Sequence, residues 1–582
     1  MNDPMNPLVQ FSPFAGQLIE EIVPGKAENR VEFENDVRAA SGSNRSMFCY
    51  APVSGCPDAK QTQVLFVLRD DDSEESARRV LEELKLRDLS EQEHFLLLFP
   101  NPDKSGWRAE QDIDFLVRCF GLLRGSRLRV GGFNGMLYYL ATTPAASALM
   151  ADMIALRPAE VSAAMLSALP GNYQFPEKAL GVEAAAWVTP GPAEAYLRKA
   201  DRACRLGEES GVTEYRGENP EVRLLVSARA MDAETVRMAW DKLFSQSRRW
   251  QNDTYGAYHA RVAFTERGFV AHVKDTSLGV NDGFAHTWYE YVPPKLRGSR
   301  EKAPLVFYFH GINCVPLYGA EQSLWTEIAD RENLIVVFPG PATYKAWNIF
   351  DLPFLPSDIR FVLALLEHMK ETYAIDESRV YLSGFSMGGA MTHALAMGYP
   401  ELFAAAAPFN AFSFSRFETP VKNLGPFLRD YSAEQLGELS YSAKAADEKR
   451  AKYPELRMPL IQNAGYDDFL IGKWPVTAET DDVRSKTIRF WQTFNHVSDR
   501  GLDGDALSGL KADECFWQDE AQRYQRQRWF GQEGEHLPLY ELILARRMPH
   551  AIDPVQVEWT WQYMKQFARG KDGSLSFRGK EE

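Results

Sequence analysis

YLSGFSMGGAM, residues 381–391, sets Ser386 between Gly384 and Gly388 at the G-x-S-x-G spacing. The pentapeptide alone is weak, because the chain holds 40 glycines, so its surroundings must carry the reading. Upstream lies RVYL, a β-branched and aromatic strand pattern. Downstream runs an Ala- and Met-rich helical stretch. A serine on a sharp strand-to-helix turn is strained and exposed, and small neighbours let strand and helix approach it. This placement predicts Ser386 as a nucleophile.

Outward from that turn, the chain from residue 303 alternates apolar strands and amphipathic helices: PLVFYFHG, SLWTEIADREN, LIVVFPGP, SDIRFVLALLEHMKETY. Such alternation predicts a mostly parallel sheet flanked by helices. The first half repeats the order. QVLFVLRDD stands for the first strand, FLLLFPNP for LIVVFPGP, QDIDFLVRCFGLL for SDIRFVLALLEHM, and GGFNGMLYYLA for SGFSMGGAMTHALA. We therefore expect tandem α/β domains at 1–250 and 251–582, the second carrying lid-like insertions at about 411–456 and 470–535.

Bulk properties narrow the function. A net charge of −15 disfavours a nucleic-acid surface, which needs clustered Lys and Arg. No apolar run is long enough to span a membrane, and the N-terminus lacks the pattern of a secretory signal. The 6 cysteines, without C-x-x-C spacing, read as free thiols in a reducing cytoplasm. No cofactor or metal is expected.

The partners of Ser386 should follow it in the order acid, then histidine. Downstream lie His393, His496, His536 and His550. Only His550 follows a strand, LYELILARR, and precedes a closing helix, DPVQVEWTWQYMKQFA. The acid belongs just after the strand MPLIQNAG, where Asp467 and Asp468 both stand, and the G-x-x-D spacing favours Asp468. Its part would be to fix the histidine tautomer and stabilise the imidazolium. Backbone N–H groups of Met387 and Ile312 are the expected oxyanion donors, with His310 a structural residue beside them.

The run PLVFYFHG, LIVVFPGP, WN, DIRFVLALLEHMKETYAIDESRVYLSGFSMGGAM and YPELFAAAAPFNA resembles the polyhydroxybutyrate depolymerase and feruloyl esterase group of α/β-hydrolases. The resemblance covers about residues 285–410, and more loosely 456–567. It implies a carboxylester hydrolase working through an acyl-enzyme, with Ser386, Asp468 and His550 as its triad. It also implies a substrate contact near Trp347 and His310. A small or medium ester, aromatic or hydroxyacyl, is the expected partner, rather than an extracellular polymer.

Set against that pattern, the first half aligns Asn134 with Ser386, Glu194 near Asp468 and Arg229 near His550. An amide is no nucleophile and an arginine stays protonated, so this half is expected to be a non-catalytic hydrolase-like domain. Support of the second half, or a homo-oligomer interface, are the roles open to it. A peptidase or acyltransferase would use the same triad, and a scaffold protein would use none.

Overall fold

The computed structural model describes residues 9–25, 43–59, 61–217, 219, 221–250, 252–253, 257–260, 268–343, 346–349, 355–412, 443–468, 470–480, 482–497, 500–531 and 538–577. The chain divides into two compact units, Met1–Val262 and Ala263–Glu582. The division lies beyond 250/251 because the segment after the last helix of the first unit folds back onto it. There β11 (Ser247–Trp250) pairs with β12 (Ala257–Ala260). Tyr138 Oη donates to the Ser247 carbonyl at 2.9 Å, and the buried Arg249 guanidinium donates to the carbonyls of Pro158 and Glu183.

In the first unit the strands are β1 (Leu18–Val23), β2 (Arg45–Tyr50), β3 (Val64–Leu68), β4 (Leu96–Pro100), β5 (Leu137–Ala141), β6 (Ala163–Leu166), β7 (Ala186–Val188), β8 (Cys204–Glu209), β9 (Val212–Arg216) and β10 (Arg223–Val226). In the second they are β13 (Val270–Asp275), β14 (His286–Tyr291), β15 (Ala303–Phe309), β16 (Ile335–Gly340), β17 (Ile375–Phe385), β18 (Ala405–Phe409), β19 (Leu460–Gly465), β20 (Glu514–Trp517), β21 (Tyr524–Phe530) and β22 (Pro538–Ala545).

Each unit builds a 10-stranded sheet. The orders are β1-β2-β4-β3-β5-β6-β7-β10-β9-β8 and β13-β14-β16-β15-β17-β18-β19-β22-β21-β20, so every strand of one sheet has a counterpart in the other. The central strands VLFVL, LLLFP and APLVFYF are buried along their whole length. That is the mark of parallel strands covered on both faces by helices. The fold class is thus tandem α/β-hydrolase-like sheets.

Two details position the site. Strand β15 is hydrogen-bonded to β16 on one side and β17 on the other, both parallel, so the crossovers diverge there. A crevice opens at the carboxyl ends of strands at such a switch point. Helix Asp358–Thr372 is capped by Ser357, whose Oγ accepts the Arg360 N–H at 3.1 Å.

Two expectations are corrected. Residues 514–530, expected within a lid-like insertion, instead extend the main sheet as the antiparallel strands β20 and β21. Their polar sequence hid this: Arg526 and Gln527 are buried in β21, with Arg526 Nε bonded to the Glu541 carboxylate of β22 at 2.6 Å. Of the insertion expected at 411–456, residues 413–442 lie outside the described residues. The second correction concerns Asn134, which sits in a 3-10 turn ahead of β5 rather than after it. The counterpart of Ser386 at the helix cap is Thr143, with ordinary extended backbone and its side chain bonded to the Ala146 N–H. At this place the first unit therefore lacks the strained backbone that Ser386 has.

Candidate active site

Strand β17 ends at Phe385 and helix Met387–Gly398 begins at once, leaving Ser386 as the single linking residue. Its backbone has φ 55° and ψ −122°, a conformation L-residues avoid. Its N–H is held by the Phe409 carbonyl of β18 at 2.9 Å. A Cβ at Gly388 would lie 2.0 Å from the Phe309 carbonyl oxygen, and one at Gly384 would lie 2.4 Å from the Gly388 carbonyl oxygen. Both glycines of the motif are thus required by close approach, not by turn freedom.

His550 and Asp468 reach Ser386 from neighbouring strand ends. Ser386 Oγ lies 2.8 Å from His550 Nε2, and His550 Nδ1 lies 2.7 Å from Asp468 Oδ2. Asp468 is buried, and its Oδ1 accepts the Leu470 N–H at 3.0 Å. Asp467 is exposed and gives its N–H to the Met548 carbonyl at 3.1 Å. The Phe385 ring packs on the imidazole at 4.9 Å between centroids. A carboxylate, an imidazole and a hydroxyl in this series can move the hydroxyl proton to Nε2 while Nδ1 keeps its own.

The loops carrying acid and histidine are laced together. A Cβ at Gly465 would meet the Met548 and Pro549 carbonyl oxygens at 2.3 and 2.5 Å, so only glycine fits. Asn410, just past β18, is the residue that sequence reading missed. Its Oδ1 accepts the Gly465 N–H at 2.7 Å, its Nδ2 donates to the Ala551 carbonyl, and its N–H donates to the Asn463 carbonyl at 2.8 Å. A buried asparagine closing an apolar strand, FAAAAPFN, was the available signal.

The loop after β15 brings Gly311 against the nucleophile, where a Cβ would sit 3.2 Å from Ser386 Cβ. Ile312 follows in a turn closed by the Cys314 N–H on the Gly311 carbonyl at 3.3 Å. Met387 opens the helix, whose N-terminal end favours negative charge. His310 and Trp347 are both buried. His310 Nδ1 donates to the Gly311 carbonyl at 2.8 Å, and Trp347 Nε1 donates to the His310 carbonyl at 2.8 Å. They brace this loop from beneath rather than offer a surface to a ligand. Asp358 holds the Trp347 segment in turn, its two oxygens accepting the N–H groups of Ala342 at 2.9 Å and Asn348 at 2.6 Å.

Burial pushes the His310 imidazole down to about 4, and that of His393 likewise to about 4. His393 packs inside the nucleophile helix, where Nδ1 accepts the Trp491 indole N–H at 3.1 Å and Nε2 faces the Ala411 carbonyl at 3.3 Å. His496 lies between Arg450 and Arg457, at 2.8 and 3.4 Å from their guanidinium nitrogens. His536 lies outside the described residues. In the first unit, counting three residues back from the capping aspartates Asp232 and Asp553 matches Arg229 to His550, and Arg229 pairs with Glu234 at 2.7 Å. Glu194 lies within the helix Pro192–Ala200 and accepts from Tyr215 Oη at 3.2 Å.

Comparison with known proteins gives a consistent picture. The model of the prolyl oligopeptidase family matches residues 358–446. A bifunctional acetylxylan esterase/xylanase of Neocallimastix patriciarum is 35% identical over 135 residues, which is 22% of this chain and 19% of that protein. Poly(3-hydroxyalkanoate) depolymerase C of Paucimonas lemoignei is 31% identical over 159 residues, 25% of this chain and 36% of its own. Feruloyl esterase B of Neurospora crassa is 30% identical over 134 residues, 22% of this chain and 45% of its own. The chain thus spans less than half the length of these relatives. Their names are those of ester-cleaving enzymes, in line with the resemblance seen in the sequence.

Proposed function

We propose that the chain is a serine carboxylester hydrolase acting on small or medium esters through an acyl-enzyme. The observation that carries this reading is the series Ser386 Oγ, His550 Nε2, His550 Nδ1 and Asp468 Oδ2, with steps of 2.8 and 2.7 Å across the ring, on a strained turn. Ser386 attacks the ester carbonyl as His550 takes its proton. The developing oxyanion is held by the N–H groups of Met387 and Ile312, and Asp468 stabilises the imidazolium. His550 then returns the proton to the leaving alcohol, and water, activated by the same imidazole, releases the acid.

The relatives' names favour acetyl, feruloyl-like aromatic and hydroxyacyl esters as the substrates to try. The first unit, with Thr143 and Arg229 at the equivalent places, contributes no chemistry of this kind. Six free cysteines fit residence in a reducing cytoplasm. No helix among the described residues is long and apolar enough to cross a membrane.

The test is direct. Ser386→Ala in the full chain should abolish both hydrolysis of p-nitrophenyl esters and labelling by a fluorophosphonate probe. Residual labelling would refute the assignment and point to the first unit. A peptidase reading has one observation in its favour, the match of residues 358–446 to the prolyl oligopeptidase model. A panel pairing each ester with its amide separates the two, since a peptidase would cleave the amides at comparable kcat/KM.

A further inference from the structure

On the edge of the second sheet, β14 carries Glu290, 1% exposed, whose Oε1 accepts from Trp288 Nε1 at 2.8 Å and whose Oε2 accepts from Tyr373 Oη at 2.6 Å. Among the described residues its ionic partners are two histidines and no lysine or arginine. His272 Nε2 lies 3.3 Å from Oε1, and His368 Nε2 lies 3.4 Å from the same atom. The two imidazoles come from different elements, β13 and helix Asp358–Thr372. One atom from each of the three residues lies within 4.8 Å of the others.

The second layer of contacts decides what this cluster can hold. His272 Nδ1 lies 3.0 Å from Asp275 Oδ2, and a carboxylate accepts, so Nδ1 carries a proton and Nε2 is the ring atom turned to the cluster. Nε2 faces the Glu290 carboxylate at 3.3 Å, and His368 Nε2 faces the same oxygen at 3.4 Å, so two ring nitrogens and one carboxylate oxygen converge on a single point. The Trp288 indole fixes the ring plane, stacked on His272 at 4.2 Å and 5°. His272 pairs directly with Trp288 in the ladder, which puts Glu290, two residues on, on the same face.

We propose that His272, Glu290 and His368 form a binding site for a divalent d-block cation, with Zn2+ the representative ion. A tetrahedral centre with bonds of about 2.1 Å has edges of about 3.4 Å, and the two nitrogen–oxygen separations are 3.3 and 3.4 Å. Two imidazoles and one carboxylate suit zinc and its neighbours, whereas calcium and magnesium prefer all-oxygen sets. The Asp275–His272 and Trp288–Glu290 hydrogen bonds are the outer partners that orient ligands in such sites. Solvent completes the coordination. The ion ties the edge strand β13 and its neighbour β14 to the helix, a structural clamp separate from the Ser386 chemistry. The ligands are scattered over residues 272, 290 and 368, so no compact motif announces them in the sequence.

The test uses tag-free full-length protein stripped with a chelator and then titrated with Zn2+ by calorimetry and with Co2+ by visible absorption. One saturable equivalent per chain is expected, with the intense d–d bands of tetrahedral Co2+. Zn2+ at a hundredfold excess over Kd should raise Tm by about 5 °C. His368→Ala and Glu290→Gln should lose the equivalent, whereas His550→Ala should keep it. Absence of saturable Zn2+ binding, or of tetrahedral bands in the unmodified protein, overturns the proposal. So does binding that survives in Glu290→Gln or disappears in His550→Ala.

Discussion

Gly388→Ala tests whether the close packing around Ser386 is what makes it a nucleophile. The added methyl would lie 2.0 Å from the Phe309 carbonyl oxygen, 2.4 Å from its carbon and 2.6 Å from the His310 carbonyl oxygen. Real Cβ contacts stay beyond 3.0 Å, so either the nucleophile helix or the loop leading to Ile312 must retreat by about 1 Å. Both hold proposed oxyanion donors. A 1 Å misplacement in such a site costs about 100-fold in rate, or about 2.7 kcal/mol of barrier. The fall should appear in kcat for p-nitrophenyl acetate, because oxyanion donors act on charge that develops only in the transition state. Gly398→Ala is the matched control: it sits in the same helix, nothing lies within 4 Å of its Cβ position, and its kcat should stay within about twofold. A Gly388→Ala enzyme with kcat within threefold of the parent and unchanged Tm would refute the packing argument.

Two other outcomes follow from the geometry. In Asp468→Asn, the Leu470 N–H claims the amide oxygen, so the NH2 group faces His550 Nδ1 and drives the imidazole proton to Nε2, facing Ser386. That tautomer cannot act as base, and kcat should fall by about 10,000-fold, as for the equivalent change in serine proteases. Asp467→Asn, on an exposed side chain, should stay near the parent rate; equal losses in the two variants would contradict the assignment. The second outcome concerns acid stability. Neutral His393 and His310, both held down to about 4 by burial, contribute stability that is complete above the ordinary histidine value of about 6.5 and lost as pH falls from there to about 4. Each is worth about 3 kcal/mol over that window. His393→Gln keeps a donor and an acceptor but does not titrate, so urea midpoints measured from pH 7 to 4.5 should fall less steeply; identical slopes would count against it.

What the sequence revealed and what it hid have physical causes. Fully apolar, β-branched and aromatic runs such as PLVFYF, repeated between amphipathic helices, report buried parallel strands, because a strand covered on both faces has no polar side. The approach of His550 to Ser386 was readable because His550 sits between a strand and an aspartate-capped helix. The polar strand β21 was not, since buried Arg526 offsets its charge on Glu541, a partner from another strand. Asn134 misled for a different reason. GGFNG imitates the glycine pattern of SGFSMGG, while in the folded chain Gly132 serves a tight contact with Val64, where a Cβ would lie 2.2 Å from Cγ2. Asn410 and Asp358 act through backbone partners elsewhere in the chain, so beyond the asparagine that closes FAAAAPFN the sequence does not say what they hold.

The matching strand orders of the two sheets carry a hazard for the newborn chain. Each half displays strands whose natural neighbours have look-alikes in the other half, and parallel pairings close only after long loops form. Misassembly between similar units is a characteristic failure of such chains. Order of synthesis works against it: at about 5–20 residues per second, the ribosome needs roughly 15 to 60 s after the first unit to finish the second. The first sheet can complete its pairings before its competitor exists, and once it has done so the central β5, like β17 after it, is hydrogen-bonded on both sides and offers no edge to exchange.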